Sequence, residues 1–279
     1  MSAGDVAVAL ILTSAFLHAV FNAILKSSGD RYVRRALMNL FACLAATPIA
    51  FIVPLPSAEV WLHLAISVLV ISPYQIAQIE SYKLGDFSAV YPVARGASVA
   101  LTAIGAAVLF PEAFPPLKIF AFAVVIMALL AFRAGAGGAR GPALAWALAT
   151  AACVSIYTLN DAGGVRAAGD PLTYVVWFFI VHGFAMPIAA VVRHRARVFV
   201  QIRQELRTGV IGAALMIAGY SANLIALRLG AVAEIAALRE VSVAFGAMIG
   251  AMFLGETLGR RRIAAAIVLA AGLVLLRLA

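Results

Sequence analysis

Two arginines, Arg95 and Arg239, stand inside long apolar stretches in which almost nothing else is charged. A guanidinium at bilayer depth is costly unless it is paired or hydrated, so such residues mark functional sites by default. Facing a cavity, each could hold a carboxylate or phosphate-like group through paired hydrogen bonds. Each could equally reach an interface or crosslink helices through backbone carbonyls, and the sequence leaves both readings open. Tyr91, Arg95, Ser98 and Thr102 follow the spacing i, i+4, i+7, i+11, which puts them on one stripe of a helix. Pro92 withdraws a backbone donor beside that stripe and frees a carbonyl there. Glu240 directly follows Arg239, but successive helical residues point about 100° apart, so the two need not pair. Glu240 is open to two readings: it forms an ion pair with an arginine of another helix, or it carries a coupled proton.

Other polar side chains fall in apolar runs at helical spacing: His18 with Asn22, Tyr74 and Gln78 beside Pro73, Tyr157 near Asp161, and Tyr220 with Asn223. Collected with the arginine stripe, the candidate substrate-binding residues are His18, Asn22, Tyr74, Gln78, Tyr91, Arg95, Ser98, Tyr157, Tyr220, Asn223 and Arg239. Glu240, Glu80 and Asp161 are the candidates for proton coupling. For each of these, helix–helix hydrogen bonding is the alternative to ligand contact. His182, a lone histidine in an apolar run, reads as structural. No nucleophile–base set is present: GxSxG, HExxH and Walker A sequences are all missing, and the four histidines are scattered. An enzyme, a catalytic residue, a metal site and a cofactor are therefore not expected.

These residues need membrane helices to position them. Of 279 residues 65% are hydrophobic and 12% charged, against roughly 25% charged in soluble domains, so lipid must solvate most of the chain. One span takes ~20 apolar residues. Apolar runs place spans near 6–26, 36–54, 60–82, 87–110, 116–133, 142–160, 172–192, 208–227, 231–254 and 261–278. The runs are too long and continuous for barrel strands. The expected fold is all-α: a polytopic membrane protein of ten transmembrane helices arranged as two inverted five-helix repeats. The repeats are residues 1–133 and 142–279, and the Gly-rich stretch 134–141 joins them. The net charge of +9 sits mainly in short loops, which makes it a topology signal rather than a sign of nucleic-acid binding.

The repeat is visible as register. Residues 95–112 lie over 239–256 at an offset of 144, matching Arg95 to Arg239, Ser98 to Ser242 and Glu112 to Glu256. An odd number of helices per copy makes the second copy enter from the opposite face, a design that recurs in transporters. Ten helices put fifteen Lys and Arg residues in loops on one face and four on the face that carries both termini. Basic loops favour the cytoplasm, which predicts a multi-pass protein of the cell (inner) membrane with both termini on the non-cytoplasmic side. Partners are the lipid bilayer and a small-molecule solute. Gly246-xxx-Gly250 suits either internal packing or a homodimer.

HAVFNAILK at 18–26, LGDFSAVYPVARG at 84–96, LREVSV at 238–243, LGETL at 254–258 and AAAIVLAAGLVLL at 264–276 run through both halves. In their order and spacing the chain resembles EamA-type members of the drug/metabolite transporter superfamily. The resemblance implies a ten-helix alternating-access carrier, usually an exporter of amino acids, metabolites or toxic compounds. It further implies a cavity lined mainly by helices 1, 3, 4, 6, 8 and 9. The two arginines favour an anionic or zwitterionic, amino-acid-like solute. A lipid flippase or lipid-carrier component of the same fold is the alternative.

Overall fold

The computed structural model describes residues 2–26, 29–84, 87–131, 141–253 and 260–279, and among these the chain is helical with no strand. The helices are α1 (Ala3–Lys26), α2 (Arg31–Ala46), α3 (Ala58–Leu84), α4 (Phe87–Leu109), α5 (Pro116–Ala131) and α6 (Gly141–Ala167) in the first part of the chain. They continue as α7 (Pro171–Val181), α8 (Ala185–His194), α9 (Val198–Leu229), α10 (Val232–Leu238), α11 (Val241–Phe253) and α12 (Arg260–Leu278). Stretches Ala3–Leu25, Ala58–Glu80, Gly141–Ala167, Pro171–His194 and Val198–Leu229 are each long and apolar enough to cross a membrane. Large apolar side chains point outward along the helices; Val108 is 79% exposed and Leu69 73%. That surface suits lipid, because in water it would leave contiguous apolar patches uncovered.

Two stretches expected as single spans are broken. The span 172–192 divides between α7 and α8 at residues 182–184. Pro187 disfavours a continuing helix, since its ring would crowd the carbonyl of Gly183 and it brings no N–H; in the first turn of α8 neither matters. Gly183 also lets this turn press on α2, for a Cβ there would stand 2.4 Å from the Cβ of Cys43. The span 231–254 divides at Arg239 and Glu240. There the backbone tightens to i→i−3 bonds, from Glu240 to Ala237 (2.9 Å), Ser242 to Arg239 (3.1 Å) and Val243 to Glu240 (2.9 Å). Arg239 is thus the C-cap of a short helix rather than an interior residue of a long one.

Helix starts also differ from the hydropathy reading. The Asp30 carboxylate accepts from the N–H groups of Tyr32 (2.9 Å) and Val33 (3.0 Å), so α2 begins at Arg31 rather than at residue 36. This puts Arg34 and Arg35 inside a helix, where both are buried. The Glu112 carboxylate caps α10 through Val232 (2.5 Å) and Ala233 (3.2 Å), satisfying orphan N–H groups at a positive helix end.

In the packed bundle α3 lies along α6 and α1 along α9, α4 packs on α6, α1 packs on α11, and α5 packs on α12. Helix α2 leans on α9, with Gly212 set so close that a Cβ there would meet the Met38 side chain at 2.1 Å. Cys43 is buried and Cys153 half-buried, both as free thiols.

Candidate functional site

The buried centre holds an ion pair between α4 and the α10–α11 break. Arg95 Nε donates to Glu240 Oε2 at 2.6 Å and Nη2 lies 2.6 Å from Oε1, with the side chains 5% and 3% exposed. One charge-assisted hydrogen bond and a second close N···O contact hold the carboxylate against the guanidinium. The Ser98 hydroxyl turns back to donate to the Arg95 carbonyl at 2.8 Å. Around the pair, Ser98, Thr102, Thr158, Asn223 and Arg239 line a pocket of about 10 Å³, room for about one water.

A larger cavity of about 70 Å³ lies next to it, between α1, α2, α3, α6, α7, α9 and the end of α10. Arg239 reaches it from the helix break. Its guanidinium carbon lies 5.8 Å from the Tyr220 ring centroid, a cation–π distance, and its Nε has no hydrogen-bond partner. Arg35 enters from α2, with its guanidinium 5.0 Å from the Phe21 ring. His18 and His182 stand on the same walls. The Asn39 amide donates to Gln75 (3.1 Å) and to the His182 carbonyl (3.2 Å), which holds α2, α3 and the end of α7 together at the cavity wall. Aromatic rings complete the lining: Tyr74 meets Tyr157 edge-on at 5.3 Å, and Phe178 stacks on Tyr220 at 4.6 Å. Among the described residues lining this cavity there is no carboxylate.

Behind Tyr220 sits Asp161, fully buried. It accepts from the Tyr174 hydroxyl at 2.9 Å and from the Tyr220 hydroxyl at 2.5 Å, with the Asn160 amide at 3.4 Å. Asn160 in turn faces His63, its Oδ1 3.0 Å from the ring Nδ1 and its Nδ2 donating to the His63 carbonyl at 2.8 Å.

The candidates read from sequence therefore separate into groups. His18, Tyr74, Tyr157, Tyr220 and Arg239 meet at the larger cavity. Arg95, Ser98, Asn223 and Glu240 meet, again with Arg239, at the smaller one. Asn22 and Gln78 lie on neither wall: the Asn22 amide donates to the His18 carbonyl (2.9 Å) and the Gln78 amide to the Tyr74 hydroxyl (3.0 Å). Glu80 lies near the C-terminal end of α3 and off both walls, accepting from the Tyr32 hydroxyl at 2.7 Å. The Tyr91 side chain falls outside the described residues, as does Glu256. Arg35, Asn39 and His182 line the cavity but were not among the sequence candidates. Asp30 as an N-cap was the signal that places Arg35 one turn inside α2. His182 gave no signal in its apolar run.

Both ends of the bundle are tied by further arginines. Arg34 Nε donates to Glu205 Oε2 (2.7 Å) and Nη1 to the Ile24 carbonyl (2.6 Å), which joins α1, α2 and α9. At the opposite end Arg166 donates to the carbonyls of Leu227 (3.1 Å) and Gly230 (2.7 Å), and Arg228 to those of Val165 (2.8 Å) and Ala168 (2.5 Å), joining α6 to α9. No group of three His, Cys, Asp or Glu side chains suited to a metal occurs among the described residues.

Residues 141–278 match the sequence model of the EamA-like transporter family. A solved crystal structure superposes on the chain with a TM-score of 0.80, covering 98% of each at 17% identity, a likeness that bears on the fold alone. No curated protein sequence matches the chain.

Proposed function

We propose that this chain, whose residues 141–278 match the EamA-like transporter family, is a secondary carrier of a small anionic or zwitterionic solute, working by alternating access. The observation that carries the substrate class is the charge of the larger cavity: two guanidiniums, Arg35 and Arg239, and no carboxylate among its described lining. A cation entering there would face two guanidiniums at low dielectric, whereas a carboxylate would find charge-assisted donors. The aromatic walls add flat apolar contact, as an amino-acid-like or aromatic acid would use. The cavity of about 70 Å³ is smaller than the ~150 Å³ that holds benzene, so in this reading it widens during the cycle to admit such a solute.

Alternating access needs two halves able to rock about a central site. In our reading residues 1–133 and 142–279 are inverted repeats in which α1 corresponds to α6, α3 to α9, α4 to α10–α11 and α5 to α12. Three observations support it: the register of 95–112 with 239–256, the packing of α3 on α6 and of α1 on α9, which exchange under that correspondence, and the pairing of α5 with α12, which maps onto itself. The arginine ties at the two ends would then open in turn. Export across the inner membrane, with both termini outside, completes the proposal; a compartment-dependent reporter fused after Ala279 that is active in the cytoplasm would sink that orientation.

The test of the function is counterflow in proteoliposomes preloaded with benzoate, phenylalanine, glutamate, methylphosphonate or choline. Exchange of at least one of the first four, with choline inert, is the expected outcome. Exchange of choline alone would overturn the substrate class.

A further inference from the structure

Three acidic residues are placed to carry a proton, and their surroundings separate them. Glu240 is held by both prongs of Arg95, so its charge is already matched. Glu80 lies away from the cavity, bonded to Tyr32. Asp161 differs from both: it is fully buried, and among the described residues no ion pair reaches it. Its two oxygens are met by phenols, Tyr174 from α7 and Tyr220 from α9, with Asn160 alongside from its own helix.

We propose that Asp161 is the proton-binding residue of the cavity and that Tyr220 reports its protonation state to the solute. The Tyr220 hydroxyl has one hydrogen to give. With Asp161 ionised, that hydrogen is committed to Oδ2. When a proton from water binds Oδ2, the carboxyl becomes the donor and Tyr220 the acceptor. The phenol O–H is then free to turn into the cavity that its ring lines, next to the Arg239 guanidinium. There it can donate to a carboxylate of the solute. Proton and anion thus favour each other's binding, and by linkage the effect is reciprocal. Release reverses the sequence, and the proton leaves Asp161 as Tyr220 donates to it again.

The groups facing Asp161 suit this role. From α3 comes His63, half-buried and joined to Asp161 through Asn160. The carboxyl therefore lies between a titratable group nearer the α3 N-terminus and a phenol on the cavity. Arg239, at the end of α10, stands against the Tyr220 ring. Tyr157, on α6, contacts the same cavity.

The inference rests on the carrier reading for its purpose, but its test does not. Infrared difference spectra of the full-length protein in liposomes, recorded through an acid titration, should show a carbonyl band from a protonated buried carboxyl. The band should vanish in Asp161→Asn and persist in Glu240→Gln. Tyr220→Phe keeps the carboxyl and removes its partner, so there the band should shift in frequency; this variant decides the matter if Asp161→Asn fails to fold. A band unchanged in Asp161→Asn, or unshifted in Tyr220→Phe, overturns the proposal. Failure of the carrier reading would look different: no counterflow by the wild type, with the band in place.

Discussion

Arg95 and Arg239 occupy matching positions when 95–112 is laid over 239–256, yet their surroundings are opposite. Arg95 is clamped to a carboxylate, whereas Arg239 leans over a tyrosine and faces the larger cavity. The next residue accounts for the difference. Gly96 follows the first arginine and Glu240 the second, so the two matched positions bring one carboxylate between them, and Arg95 takes it. The tight turn at residues 239–240 sends the two side chains apart, Arg239 into the larger cavity and Glu240 across to Arg95. One arginine therefore joins two parts of the molecule, and in the proposed carrier its counterpart would meet the solute. Positions matched in sequence need not share surroundings.

The comparison can be broken most severely at the pair. Arg95→Ala leaves Glu240 buried without its cation, and stranding one member of such a pair costs about 3–5 kcal/mol. Thermal unfolding in detergent should show a large loss of stability, and Arg95→Gln with Glu240→Gln should recover much of it. An Arg95→Ala protein as stable as the wild type would show that the pair does not hold the bundle together.

Arg239→Ala probes the other member. It should leave the thermal midpoint near the wild-type value while weakening solute binding. Loss of a charge-assisted hydrogen bond worth about 1.5–3 kcal/mol corresponds to roughly a 10- to 150-fold loss of apparent affinity in counterflow. Undiminished exchange would remove Arg239 from the site and with it the contrast drawn here.

Tyr32→Phe sharpens the comparison from outside the centre. It removes the hydroxyl that Glu80 accepts from, at a cost of about 0.5–1.5 kcal/mol. Because neither residue lines the cavity, solute affinity measured by counterflow should not change. A change in affinity would tie this end of α3 to the solute site.

Much of the architecture was legible in the apolar runs, because lipid forces long continuous helices and punishes any charge within them. Breaks were harder to see. Gly183 and Pro187 carried a signal for the division of α7 from α8, but hydropathy averages over it. Nothing in the run around Arg239 announced a turn, since neither Gly nor Pro stands between Ile235 and Ala244. On the site, helical spacing brought Arg95, Ser98 and Thr102 to one stripe, and they do share a wall. The same logic placed Asn22 with His18, but Asn22 spends its amide on the carbonyl one turn back, as a side chain in a helix interior can.

Composition and register, both local properties of the chain, determined that this protein lives in lipid, that it is helical, and that arginines lie deep in both halves. The tertiary structure alone decided which arginine is neutralised, that Asp161 is met by two phenols from other helices, and that Arg35 and His182 face the cavity. Those facts depend on which helices touch and how they are rotated. Packing of distant segments sets that, and spacing along one helix cannot express it.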